Sequence, residues 1–234
     1  KTYGFTLGGP IIKDRLFFFA AYDKFEETAP LQTGPSGSGA LNEIAFPADE
    51  IAEISEIASS VHGFDTGSFG SLPPAEDEKI LAKLDFNITN SQRATFTYLK
   101  TEGNQIQEQN GNNFLQGADL AFPSSWYDRS ETIESYIGQL FSDWTDNFST
   151  ELKVSYTEQA TGQDSLGGAE FPVFSVPSRS DPDLIIAFGP DRFRHGNELD
   201  QEFFQVKAKA EYVVGSHTLK AGFESETVDV DNLF

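Results

Sequence analysis

The stretch that most limits what this chain can fold into is Gly4 to Glu27, GFTLGGPIIKDRLFFFAAYDKFEE. Two apolar or alternating runs flank the tight polar turn Lys13-Asp14-Arg15, which reads as a β-hairpin. Its second arm carries Phe17, Phe18 and Phe19 in a row. A water-soluble domain must hide those rings in a core. A barrel wall in lipid leaves some of them facing outward.

The same unit of strand, short polar turn, strand and long polar loop recurs three more times. Strands are expected at about Tyr3–Ile12, Leu16–Phe25, Lys79–Ile88, Arg93–Thr101, Thr132–Trp144, Thr150–Gln159, Glu202–Val213 and from His217 onward. In the fourth, Ala94, Phe96 and Tyr98 share a face opposite Thr95 and Thr97. In the seventh, Phe204, Val206, Ala208, Ala210 and Tyr212 oppose Gln205, Lys207, Lys209 and Glu211. That period of two marks a sheet with one apolar and one wet face. The fifth is less clean, because Ile137 and Phe141 stand opposite Tyr136, Leu140 and Trp144. Gly215-Ser216 suits a two-residue turn with Gly first.

Long loops are expected at about 26–78, 102–130 and 161–200. The first contains Ile51, Ile54, Ile57 and Val61 at helical spacing, with Asp49 as N-cap and Gly63 as stop. One short amphipathic helix is expected there. Short and long connections alternate, which puts every short turn at one rim and every long loop at the other. Outer-membrane barrels have this asymmetry, with the long loops outside, whereas a soluble sandwich spreads its loops over both ends.

Composition agrees. No run approaches the ~18–20 apolar residues of a membrane helix, so a membrane reading requires a barrel. Tyr136 and Trp144 lie eight residues apart on one face, as do Phe204 and Tyr212. That is about 26 Å along a strand, or roughly 20 Å of height after a ~40° tilt, compatible with two aromatic girdles around an apolar band. The net charge of −21 argues against nucleic acid as a partner. The chain has no Met and no charged-then-apolar leader, so a piece of a longer mature protein is expected.

The hairpin GGPIIKDRLFFFAAYDKFE resembles the TonB-dependent outer-membrane receptors, specifically their Oar-like branch. Members carry a Gly-Gly-Pro, a short charged turn and Leu-Phe-Phe-Phe near the start of the barrel. KILAKLDFNITNSQRATFTY, the segment around GPDRFRHGN and VVGSHTLKAGFE fit in kind. The resemblance implies part of a 22-stranded barrel holding a plug that the inner-membrane TonB complex drives, with outer-membrane lipid and lipopolysaccharide as neighbours. About eight strands would lie here, all 234 residues in one barrel domain, with the plug and TonB-contact segment elsewhere.

On this reading the fold is all-β, an antiparallel transmembrane barrel segment with long extracellular loops. Phe96, Tyr98, Tyr156, Phe204, Val206, Tyr212 and Phe223 are expected to face lipid. Lys83, Asp85, Asn87, Gln205, Lys207, Lys209 and Glu211 are expected to face the lumen, where mixed charges pair across strands and hold a plug.

The function expected is energy-coupled uptake of an unidentified substrate, without covalent chemistry and so without an enzyme's active site. The competing readings are a non-transporting barrel for adhesion, secretion or surface assembly, and a soluble carbohydrate-binding β-sandwich. No catalytic residue, cofactor or metal is expected. His62, His195 and His217 lack ligand spacing, and the acidic pairs Asp181/Asp183 and Asp229/Asp231 lack an EF-hand pattern. Arg192, Phe193, Arg194 and His195 form the one basic patch, suited to lipopolysaccharide phosphate but more simply paired with neighbouring acids.

Overall fold

The computed structural model describes residues 1–70, 72–109, 117–191 and 197–233. The patch Arg192, Phe193, Arg194 and His195 lies outside the described residues. In chain order the elements are β1 (Thr2–Ile12), β2 (Leu16–Glu27), β3 (Thr33–Pro35), β4 (Asn42–Ile44), α1 (Ala48–His62), β5 (Ala75–Asn87) and β6 (Gln92–Gln107). Then come β7 (Leu120–Ala121), a 3-10 turn (Pro123–Ser125), β8 (Tyr127–Thr145), β9 (Phe148–Ser165), β10 (Phe174–Pro177), β11 (Ile185–Phe188), β12 (Asn197–Val214) and β13 (His217–Leu233).

Eight of these strands form one antiparallel sheet in the order β1-β2-β5-β6-β8-β9-β12-β13. Each long strand pairs with its neighbours in sequence, so the sheet is an uninterrupted up-and-down meander. All four short turns therefore lie at one end and all three long connections at the other. Gly215 has φ 60°, the left-handed first position that a Gly-first turn requires. Pro10 sits in β1, the edge strand of the sheet, where a missing N–H breaks no second ladder.

The strands outrun the apolar pattern that announced them. β5 begins at Ala75 rather than Lys79, β6 continues to Gln107, β8 begins at Tyr127, β9 reaches Ser165 and β12 begins at Asn197. These extensions lie at the long-loop end and are rich in Glu, Asp, Gln and Asn. Backbone pairing continues where side-chain hydrophobicity stops, because a strand neighbour satisfies N–H and C=O whatever the side chain.

No second sheet covers either face among the described residues, so the soluble sandwich expected as an alternative does not form. Its dry core for the Phe run is absent too: Phe18 points to one face of β2, while Phe17 and Phe19 point to the other, and Phe19 is exposed.

The hydrophobic core lies instead in the long connections. Phe46, Ala58, Leu120, Phe122, Ile186 and Phe188 are buried together, with Ile51 and Ile54 of α1 packed on them. Three loops contribute, and they share backbone: β11 of the third pairs antiparallel with β10 and parallel with β7 of the second, and Ser124 N–H of the second donates to the Thr66 carbonyl of the first at 3.0 Å. Helix α1 has Pro47 as its N-cap residue, not Asp49, and no side chain caps it. Pro fits there because the first helical N–H groups have no internal partner anyway. Gly63 ends the helix in the left-handed conformation as expected, with Gly63 N–H donating to Ser59 and Phe64 N–H to Ala58.

Two expectations follow for the loop body. Phe122→Ala should cost about 3–5 kcal/mol through the cavity it leaves. It should raise amide exchange across α1, β7 and β11 while leaving β8–β9 protection unchanged. Separately, the Glu43 carboxylate is held below its ordinary range by the backbone N–H groups of Gly37 and Gly39. A lowered value means that its contribution is complete at neutral pH and fades as pH falls through that value. The protection of Gly39, its exchange rate relative to the intrinsic rate at the same pH, should fall with acid in the native chain and lose that pH dependence in Glu43→Gln.

Candidate functional site: a two-faced wall under a folded cap

The cross-strand register sorts side chains onto two faces without a slip across the central strands. One row runs Ala82, Tyr98, Tyr136, Tyr156, Phe204 and the next Leu84, Phe96, Gly138, Val154, Val206. A third runs Phe86, Ala94, Leu140, Leu152, Ala208 and Phe223. Phe96, Tyr98, Tyr156, Phe204, Val206, Tyr212 and Phe223 thus share a single face. Lys83, Asp85, Asn87, Gln205, Lys207, Lys209 and Glu211 share the other.

The apolar face has a banded composition. Toward the short turns, Phe148 and Tyr212 pair in register, their ring centroids 6.4 Å apart, and Trp144 donates to Thr150 beside them at 2.8 Å. Toward the long loops, Tyr98 and Tyr136 meet at 5.2 Å. Between these two aromatic rows, no Asp, Glu, Lys or Arg stands on this face among the described residues. Beyond the tyrosines the same face turns acidic at once, with Glu134, Glu158, Glu202 and Asp229 in one row. The tyrosine hydroxyls donate into that collar: Tyr22 to Glu78 at 3.1 Å, Tyr156 to Glu158 at 2.7 Å and Tyr136 to Glu134.

Exposure runs opposite to what water would select. Leu152 is 43% exposed and Phe204 48%, whereas Thr95 on the polar face is 6% exposed and Ser135 8%. A water-soluble sheet buries its apolar side, since each buried Leu or Phe contributes about 1.5–3 kcal/mol. On β5 and β9 the apolar side is the barer one, whereas on β12 Lys207 and Lys209 are exposed and Val206 and Ala208 are partly buried.

The polar face is cross-linked by charge near the short turns. Lys207 pairs with Glu224 at 3.1 Å and Glu211 with Lys220 at 2.9 Å, each directly across β12–β13. Lys209 reaches Glu151 at 3.8 Å, and Gln205 donates to Glu224 and Glu226. Arg93 lies 3.8 Å from Asp85, with its guanidinium over the Phe141 ring at 4.8 Å. Asn87 has a different role: its side chain donates to the carbonyl of Asp14, tying the second short turn to the first. The expectation that mixed charges pair across strands is met at these positions.

The cap was not foreseen as a single body. Ser124 and Ser125 of the second loop grip Gly189 of the third, through Gly189 N–H to Ser124 Oγ at 3.1 Å and Ser125 Oγ to the Gly189 carbonyl at 2.8 Å. Gly189 has φ 99°, and a Cβ there would meet the Pro172 carbonyl at 2.3 Å, so only glycine fits. Arg179 joins the third loop to the helix of the first. Its backbone N–H donates to buried Glu50 at 2.9 Å and its guanidinium to Glu53 at 2.6 Å, which raises the guanidinium pKa further. The signals for this body were the short apolar strings Leu120-Ala121-Phe122 and Ile185-Ile186-Ala187-Phe188 inside otherwise polar stretches. Asp181, read as half of an acidic pair, accepts the backbone N–H of Asp183 at 3.2 Å, a local turn bond. Among the described residues no group of three or more His, Asp or Glu side chains is arranged to hold a metal.

Glu50→Ala strands the Arg179 N–H and should cost the cap about 1–3 kcal/mol. Glu53→Ala removes only an exposed pair and should cost under about 1 kcal/mol. Protease nicking rates in residues 166–191 measure both.

No protein-family model matches the chain, and no curated protein matches its sequence. Its fold is similar to that of the outer membrane transporter YddB from Escherichia coli, with a TM-score of 0.58 at 9% identity. The match covers 99% of this chain and 25% of that one, so the chain spans about a quarter of the transporter's length. The large antiparallel sheet shares the fold of an outer-membrane transporter's wall.

Proposed function

We propose that the chain is a wall segment of a TonB-dependent outer-membrane transporter. Its apolar face meets lipid and its polar face lines the lumen. The reading rests on one observation above all, the charge-free band between two aromatic rows on an uncovered face of the sheet. Lipid is the solvent in which that face is stable. On this reading Phe96, Tyr98, Tyr156, Phe204, Val206, Tyr212 and Phe223 face the bilayer. The acidic collar above the tyrosines rises out of the hydrocarbon toward lipopolysaccharide. Lys83, Asp85, Asn87, Gln205, Lys207, Lys209 and Glu211 face a plug supplied elsewhere in the protein.

Substrate is captured at the cap end and passes through the lumen when the inner-membrane TonB complex displaces the plug. The Oar-like hairpin and the likeness to a solved transporter support this reading. No bond is made or broken, and no cofactor takes part. The folded cap favours a second reading, a barrel of the same kind that displays its loops for adhesion or assembly without transport.

Recovery of the protein in the outer membrane, with a gel band that shifts on boiling in SDS, is expected of either barrel. Uptake that stops when the inner-membrane proton gradient is collapsed is expected of the transporter alone. Uptake indifferent to the gradient would contradict it. At residue level, Val154→Lys should cost about 2–4 kcal/mol in vesicle-embedded protein. Ser155→Lys, one residue on but facing the lumen, should change stability by under about 0.5 kcal/mol. Urea unfolding in lipid measures both, and equal costs would refute the face assignment.

A further inference from the structure

Helix α1 is covered on one side only. Ile51, Ile54 and Ala58 face the loop core, while Ile57 is 48% exposed and Val61 68%. Four residues apart, Ile57 and Val61 stand one turn above the other and form a short apolar ridge beside the buried face. What distinguishes this ridge from ordinary exposed aliphatics is its setting. Earlier on the same flank, Arg179 of the third loop donates its backbone N–H to buried Glu50 at 2.9 Å and its guanidinium to Glu53 at 2.6 Å. Glu50 and Glu53 precede Ile57 by two turns and one turn of the helix. The third loop therefore covers the N-terminal half of this flank with a cation. It then reverses, with Leu184 N–H donating to the Asp181 carbonyl at 2.9 Å, and leaves Ile57 and Val61 bare.

Charge sets what can complete that cover. Residues 28–74 contain Glu43, Asp49, Glu50, Glu53, Glu56 and Asp65 and no Lys or Arg. Asp49, Glu53 and Glu56 are exposed on α1, and helical spacing puts them along the water-facing side of the ridge. A second copy of this chain would bring the same acids against them, and lipopolysaccharide would bring phosphate, so both are repelled. An added strand has nothing to pair with, because the interior N–H and C=O groups of a helix are already bonded within it.

We infer that the ridge of Ile57 and Val61 is a docking surface for a cationic amphipathic helix of a polypeptide partner. The partner lays apolar side chains at i, i+3 and i+4 spacing over Ile57 and Val61. It sets Lys or Arg against Glu56 and Asp49, as Arg179 is already set against Glu53. The chain thus carries its own example of a basic segment seated on this flank. The inference concerns the cap alone and holds for a transporting and a displaying barrel alike.

The test uses the whole protein that carries this chain, purified in a nonionic detergent and assayed for the boiling shift. The probe is a synthetic peptide of about 18 residues, long enough to be helical, with Leu on one face and Lys and Ala on the other. Its controls are a scrambled peptide of the same composition and a twin with Glu in place of Lys. Saturable binding of the cationic helix is expected, weakening as salt rises, with both controls about tenfold weaker or more. Ile57→Ser with Val61→Ser should weaken it about tenfold, through loss of two aliphatic contacts. Both positions are exposed, and unchanged amide protection of α1 verifies that the variant is folded. Glu56→Lys should weaken the cationic helix and strengthen the Glu twin, a reversal that damage to the helix would not produce. No saturable binding, equal binding of the two charge forms, or an affinity unmoved by the double substitution overturns the inference. So does binding of purified lipopolysaccharide, or self-association of the protein, that the double substitution abolishes. A protein without the boiling shift contradicts the barrel reading alone, and the same titration still decides the docking surface.

Discussion

The structure depends on an unslipped register. Each of the central strands is hydrogen-bonded on both sides, so the alternation of one strand is passed to the next and a side chain's face is set by its neighbours. A one-residue slip anywhere would put Lys83, Lys153 or Lys207 into the row of Leu84, Val154 and Val206. On the proposed reading, the cost of placing a charge in lipid makes such a slip prohibitive. The two register shifts in the sheet fall near the short turns, at Pro10–Ile12 and Asp143–Thr145, where nothing beyond them has to stay aligned.

Given that register, the faces divide the work. The apolar face makes lateral ring contacts such as Tyr98–Tyr136 and Phe148–Tyr212 but carries no covering layer among the described residues; on the proposed reading lipid supplies it. The polar face is held by ion pairs and amide bonds that would each be worth little in open water. Across a wall with water on one side they fix geometry more than they add stability. The strongly acidic balance of the chain is not spread evenly. Along the apolar face above the tyrosines, Lys1, Lys24 and Lys100 are outnumbered by Glu78, Glu102, Glu134, Glu158, Glu202, Asp200, Asp229 and Asp231.

The wall was legible in the sequence because its signals are local. Period-two alternation in β6 and β12, the polar turns and the alternation of short with long connections named all eight strands and the face of each candidate residue. The strand tops were not legible, because past the apolar band the ladder continues under residues such as Gln105, Arg129 and Gln163 that carry no alternation. The cap was legible only in fragments. Helix α1 followed from the spacing of Ile51, Ile54, Ile57 and Val61, but its N-cap at Pro47 did not, and its buried face runs through Ile51, Ile54 and Ala58 while Ile57 and Val61 are exposed. The pairing of β7 with β11 joins residues 66 positions apart, Leu120 with Ile186, and no pattern within either segment encodes the other. The face of a residue can be read from its neighbours, whereas the solvent that face meets cannot.

That solvent is what a single measurement should decide. The chain contains no cysteine, so single cysteines can be placed in turn at Thr95, Phe96, Thr97 and Tyr98 of β6 and labelled with an environment-sensitive probe in reconstituted vesicles. The account predicts a period of two. Labels at Phe96 and Tyr98 are quenched by a lipid-borne quencher and shielded from a water-soluble one, and labels at Thr95 and Thr97 behave in the reverse way. Equal access of the water-soluble quencher to all four positions would contradict it.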